Sequence, residues 1–310
     1  MAAANSRDLG SSHTGGNISR RLEITLVLLI LLVAGLLRMA APGLTEFKAD
    51  EARLMALALD MAEGNFALRG ISSSVGFPNF PASVWLYSVP LFFWPHPYSA
   101  TLFTGLLNTL AVAGCYWLVR RYWGVSAALA ATLMFAVSPW AVIFSRKIWA
   151  QNLLPLFVLG WAAGAMLALV EKRPKFIWLH LICLAIAVQI HLAAVALIPA
   201  TILLLLVFWR CVHWRSLLIG LLLAVITVVP FAIYLGQSID QISLPAAIAG
   251  ESSAGITADS FRFTAMISLG TFIHSLAGPE TFNEYLSMLP PMTLVYWIWG
   301  LLILAGVFWL

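Results

Sequence analysis

Two adjacent carboxylates, Asp50 and Glu51, stand in the stretch "TEFKADEARLMALALDMAEG", Thr45 to Gly64, just beyond the first apolar run of the chain. A carboxylate within hydrogen-bond reach of a hydroxyl can take its proton as it attacks, typically worth about 10²–10⁴-fold in rate. Two neighbouring, partly desolvated carboxylates push one pKa upward, which suits a base without saying which acid is affected. The pair also has a purely structural reading, because acids in a first turn complement the helix dipole and Asp is a favoured N-cap. A second charged pair, Arg146 and Lys147, lies in "SRKIWAQN", Ser145 to Asn152. Cations fixed in a low-dielectric site stabilise negative charge that develops in a reaction, and the planar guanidinium suits oxyanions. The alternative is that they meet lipid head groups or cap the preceding helix.

These residues must be positioned by membrane helices. The 310 residues are 62% hydrophobic and 10% charged, with a mean hydropathy of +0.94. Soluble domains run near 45–50% apolar and about 25% charged, so the composition specifies an integral membrane protein, and its long apolar runs an all-α one. Runs of about 20 apolar residues mark spans near 22–41, 99–119, 125–143, 152–170, 176–190, 193–209, 216–235 and 292–310. The result is a polytopic bundle of about eight spans. The shorter, Pro-flanked run 82–95 reads as an interfacial or re-entrant segment.

Arg7, Arg20, Arg21, Arg120, Arg121, Lys172, Arg173, Lys175, Arg210 and Arg215 share one side if the spans alternate, 10 of the 17 Lys and Arg. The opposite side holds 10 of the 13 acids, among them Asp50, Glu51, Asp60 and Glu63. Positive loops face the cytoplasm, which puts the N-terminus inside and both charged pairs outside. Arg146 and Lys147 stand out because they break that trend. The pI near 9.1 comes from short basic clusters between apolar runs, so nucleic acid is not expected as a partner. Residues 1–21 form a Ser/Gly/Asn-rich cytoplasmic tail, 22–235 the transmembrane core with its outer loop 42–98, 236–291 a second outer segment and 292–310 a last span. Outer segments of this length are usually functional. The first apolar run is too long, and too far from the start, for a cleaved signal peptide. The ending "GLLILAGVFWL" has no polar tail, which suggests a truncated chain.

Within the first outer loop, Leu54, Leu57, Ala58 and Met61 recur at helical spacing, predicting an amphipathic helix over Asp50–Met61 that stops at Gly64 and Asn65. Its apolar face would lie in the outer interface, with both acids in its first turn.

"FKADEARLMALALDMAEG" resembles the first outer loop of GT-C superfamily glycosyltransferases, and more closely the bacterial protein mannosyltransferase and aminoarabinose transferase group. The likeness continues through "SSVGFPNFPASVWLYSVPLFF", "LFTGLLNTLAVAGCYWLVRRYWG" and "LMFAVSPWAVIFSRKIWAQNLLPLF", and fades after Gln189 to His191. Two features depart from the group. Its members are commonly longer, and the Pro-rich stretch here reads "FPNFP". The resemblance implies a sugar on a polyprenyl phosphate, transferred with inversion to a lipid, glycan or protein acceptor at the outer face of the plasma membrane. It implies Asp50 as base, Glu51 sharing that role or orienting the acceptor, and Arg146 and Lys147 on the donor phosphate. Gln151, Asn152, Asn79 and His191 are candidate donor or acceptor contacts. Each has a plainer role: Asn79 shapes a turn between prolines, and His191, beside Gln189, is simply hydrogen-bonded. His274, in the second outer segment, and Lys48 and Arg53, flanking the acids, are weaker candidates. Arg38 is expected to snorkel at the end of the first span.

Cys115, Cys183 and Cys211 show no metal-ligand spacing and read as small apolar fillers. No His-x-x-x-His, Walker loop or dinucleotide fingerprint is present, so no metal or soluble nucleotide sugar is expected, although the resemblance leaves a divalent ion open. The competing reading is a transporter or lipid flippase. It is disfavoured because span centres are nearly free of charge and no internal repeat is evident.

Overall fold

The computed structural model describes residues 18–45, 47–72, 77–238, 259–270, 287 and 292–309. Helix α1 (Arg20–Met39) is followed by α2 (Ala49–Ala62), α3 (Ala82–Phe93), α4 (Pro97–Val137), α5 (Pro139–Phe144), α6 (Leu154–Ala165), α7 (Ile177–Ile190), α8 (Leu197–Val207) and α9 (Trp214–Ser238). Beyond these lie α10 (Asp259–Leu269) and α11 (Met292–Trp309). Among the described residues there is no strand, only an isolated bridge between Ser72 and Pro78. His274, Glu46, Asp240, Glu251, Glu280, Glu284, the tail through Asn17 and most of the second outer segment lie outside the described residues.

Four helical stretches among the described residues are long and apolar enough to cross a membrane: Arg20–Met39, Pro97–Val137, Ala150–Val170 and Trp214–Ser238. The expected second and third spans are joined in α4, whose 41 residues break at Gly124, where φ is 87° and ψ is −179°. That combination is open to glycine alone, so one residue turns the chain back without a loop. Four further apolar helices, Ala82–Phe93, Pro174–Ile190, Leu192–Val207 and Leu294–Gly306, are shorter.

Small residues bring the helices together. Ala34 of α1, Val112 and Ala136 are fully buried, so α1 packs against both halves of α4. At Gly164, on α6, a Cβ atom would come within 2.5 Å of the His180 nitrogen on α7. Only hydrogen fits there, and close approach through small residues is how membrane helices gain contact without a solvent-driven hydrophobic force.

The basic connections gather at one end. Arg120 pairs with Glu23 at 2.6 Å, and Glu171 is held by Arg121 and by Arg173 at 3.3 Å. Helix α2 and the 145–153 segment lie at the other end, joined by a core of Leu54, Ala58, Tyr87, Ile148, Leu153 and Ile190. The apolar face of α2 therefore packs on protein, against α3 and this segment, where the periodicity alone suggested lipid.

Candidate active site

Helix α2 begins after Lys48, whose backbone N–H donates to Glu51 Oε2 at 3.0 Å. The N-cap is thus Lys48, with the acids inside the first turn. Glu51, Leu54, Met55 and Ala58 are buried together at the spacing of one helix face. Glu51 therefore points inward, where its Oε1 meets Lys147 Nζ at 3.0 Å. The side chains are 4% and 16% exposed, and the ammonium also lies 4.3 Å from the centroid of the Trp149 ring. Asp50, one residue earlier, points outward. Its carboxylate is 57% exposed and pairs with Arg53 at 3.3 Å. An exposed pair of this kind contributes only about 0–1 kcal/mol and is readily exchanged for another partner.

The 145–153 segment is held by its own backbone carbonyls. Pro139 ends α4 and starts the short α5, after which the chain turns at Ser145, whose hydroxyl donates to Val142 O at 2.7 Å. Asn152 Nδ2 donates to Lys147 O at 2.9 Å, and Asn108 Nδ2 to Asn152 O at 2.8 Å. Tyr87 donates to Trp149 O at 3.2 Å, and its oxygen lies 3.0 Å from that of Thr104. Three carbonyls of an irregular segment are thereby satisfied inside the protein, as a membrane environment demands. Asn152 is buried and consumed by this scaffold. Gln151 differs, since its buried Oε1 has no hydrogen-bond partner among the described residues.

Arg146 is turned toward α1. Its guanidinium donates to Leu37 O at 3.0 Å, Ala40 O at 2.6 Å and Ala41 O at 2.7 Å, carbonyls at and just beyond the end of that helix. The relation is reciprocal. Arg38 of α1 donates to Ala136 O at 2.7 Å and Phe135 O at 2.9 Å, at the end of α4. Arg38 is 1% exposed, so it does not snorkel. The α4 carbonyls it caps offer more than water at the interface, because Pro139 beyond them supplies no N–H.

The remaining expected contacts lie around this centre. Asn79 donates to Ile71 O from both backbone (3.1 Å) and side chain (2.9 Å), shaping the loop ahead of α3. His191 caps the turn after α7, its Nδ1 accepting from Ala193 N at 3.3 Å, and burial lowers its pKa. Its neighbour Ile190 belongs to the core beneath α2. Gln189 donates to Thr227 Oγ1 at 2.7 Å, while its Oε1 is buried without a partner among the described residues. Among the described residues no three His, Cys, Asp or Glu side chains gather as a metal site.

Two residues that the sequence did not single out flank the site. Tyr87 clamps the 145–153 segment. Arg69 stacks over Tyr234 at 5.5 Å, while Phe80 packs on Phe231 at 4.3 Å, joining the α2–α3 loop to α9. A lone charge in the stretch 64–95 was the available signal for Arg69; nothing in the pattern separated Tyr87 from other interfacial tyrosines.

No protein-family model and no curated protein matches this sequence. Among solved structures, ArnT from Cupriavidus metallidurans bound to undecaprenyl phosphate superposes with a TM-score of 0.54 at 16% identity, over 73% of this chain and 42% of that one. The apo state of ArnT gives 0.54 at 18% identity, over 81% and 48%. The chain spans less than half the length of these structures. At such identity the likeness defines the fold, and the chain is a membrane protein with a GT-C fold.

Proposed function

We propose that this protein transfers a sugar from a polyprenyl-phosphate carrier to an acceptor at the outer face of the plasma membrane, with inversion at the anomeric carbon. The observation that carries the proposal is the 3.0 Å contact between Glu51 and Lys147. It joins Glu51, the second acid of the pair, to Lys147, the second cation of the other pair, almost a hundred residues away. Undecaprenyl phosphate is the ligand of the ArnT structure that shares this fold.

In this reading Asp50 is the base. It is the exposed carboxylate, tied among the described residues only to Arg53 at the surface. A substrate hydroxyl can take the place of that arginine. Glu51 is a positioning residue, since both of its oxygens are engaged, one by the Lys48 N–H and one by Lys147. It holds Asp50 at a fixed height beside the 145–153 segment. Lys147 supplies positive charge next to the acids, where a departing phosphate gains its charge. Arg146, bound to the end of α1, adds its field and keeps Lys147 in place. Gln151 is the residue of this segment with an uncommitted buried acceptor, suited to a hydroxyl or amide of the donor.

The test is an assay of membranes containing the protein with a panel of polyprenyl-phosphate sugars, including hexoses and an amino-pentose. Release of free polyprenyl phosphate coupled to labelled acceptor is expected for one of them. Translocation of the lipid without cleavage of its phosphate bond would replace the transferase reading with a flippase.

A further inference from the structure

We propose that the end of the bundle opposite the candidate active site binds anionic phospholipid head groups, between the α6–α7 and α8–α9 connections. The two connections lie side by side, because Phe176, Phe208, Cys211 and Val212 pack on one core of Ala168, Leu169, Ile177 and Leu181. The segments 171–176 and 208–216 carry Lys172, Arg173, Lys175, Arg210 and Arg215 but one acid, Glu171. That carboxylate is already taken by Arg121, Arg173 and Tyr122. Lys172, Lys175, Arg210 and Arg215 have no carboxylate partner among the described residues.

The depth of the patch favours a lipid over a soluble anion or an acidic protein. Trp209 and Trp214 are 61% and 65% exposed, and indoles collect at the level of the head groups. Arg210 lies 5.4 Å from the Trp209 ring and Lys175 5.8 Å from that of Phe176, so aromatic faces hold the cations at that level. Leu203, Leu206, Leu218 and Leu222 continue the surface as exposed apolar side chains, suited to acyl chains. Head-group phosphate would meet the four cations while the tails follow α8 and α9. This is the arrangement by which basic pockets between membrane helices select anionic lipids. The inference stands whatever reaction the opposite end performs.

The experiment is native mass spectrometry of the purified protein titrated with phosphatidylglycerol or phosphatidylcholine. Wild type should retain phosphatidylglycerol about tenfold more tightly, with the preference shrinking as salt screens the charges. The variant K172Q/K175Q/R210Q/R215Q should lose that preference. These side chains hold no ion pair among the described residues, so its melting temperature in neutral detergent should match wild type. If the quadruple variant does not fold, K172Q and R210Q alone should each reduce the preference by about threefold. An undiminished preference in the variants, none in wild type, or displacement of the lipid by equimolar inorganic phosphate would each overturn the proposal.

Discussion

The carboxylates of Asp50 and Glu51 diverge because a helix turns about 100° per residue. One joins the face of Leu54 and Ala58 and is buried; the other looks outward. The buried ion pair that results is a coupling device. Removing one member leaves a desolvated charge, typically costing about 3–5 kcal/mol, whereas replacing both with apolar groups can be close to neutral. We therefore expect Glu51→Gln and Lys147→Met each to lower the thermal midpoint strongly, and the double variant to recover much of the loss. Additive effects in that cycle would mean that the two side chains do not depend on each other. Arg146→Ala should also destabilise, since hydrogen bonds from a charged donor contribute about 1.5–3 kcal/mol each. Arg146→Lys should rescue only part, because an ammonium lacks the fork that reaches Leu37, Ala40 and Ala41 together. A variant as stable as wild type would show that the cap is dispensable.

The helices were legible in the sequence to differing degrees, for physical reasons. The periodicity of α2 was clear, and it also contained the inward direction of Glu51: the intervals from 51 to 54, 55 and 58 are those of the buried face. The partner of that face was not legible, because an apolar stripe reads alike whether lipid or protein covers it. The sequence suggests snorkelling for Arg38 because its acceptors, the carbonyls of Phe135 and Ala136, carry no signature there. The GT-C-like bundle followed from hydropathy and resemblance; the continuity of α4 through Gly124 did not, since a lone glycine between apolar runs marks a loop equally well. At the opposite end, Glu171 ties α4 to the end of α6. Its Arg121 hydrogen bond, with help from Tyr122 and Arg173, holds its pKa near about 2 against an ordinary 4.5. A lowered carboxylate pKa stabilises the fold fully above the ordinary value and is lost as pH falls from 4.5 toward about 2. Thermal unfolding in detergent should show this loss in wild type and a shallower dependence in Glu171→Gln. Identical acid profiles would remove the pair from the stability of the fold.

Across the whole molecule, the two ends of the bundle are chemically unlike. One gathers basic connections and exposed tryptophans. The other gathers an acid pair, a capped segment held by Tyr87, Asn108 and Arg146, and an uncommitted acceptor at Gln151. The long-range pairing of Glu51 with Lys147 marks that end as the candidate site, and the function proposed for it requires a proton acceptor there. The most direct measurement is therefore sugar transfer from the polyprenyl-phosphate donor by Asp50→Asn, in a variant shown by its melting temperature to be folded. Asp50 is exposed and among the described residues holds only a surface pair, so folding should survive while turnover falls by at least about 10²-fold. Turnover near that of wild type would contradict the assignment of Asp50 as the base.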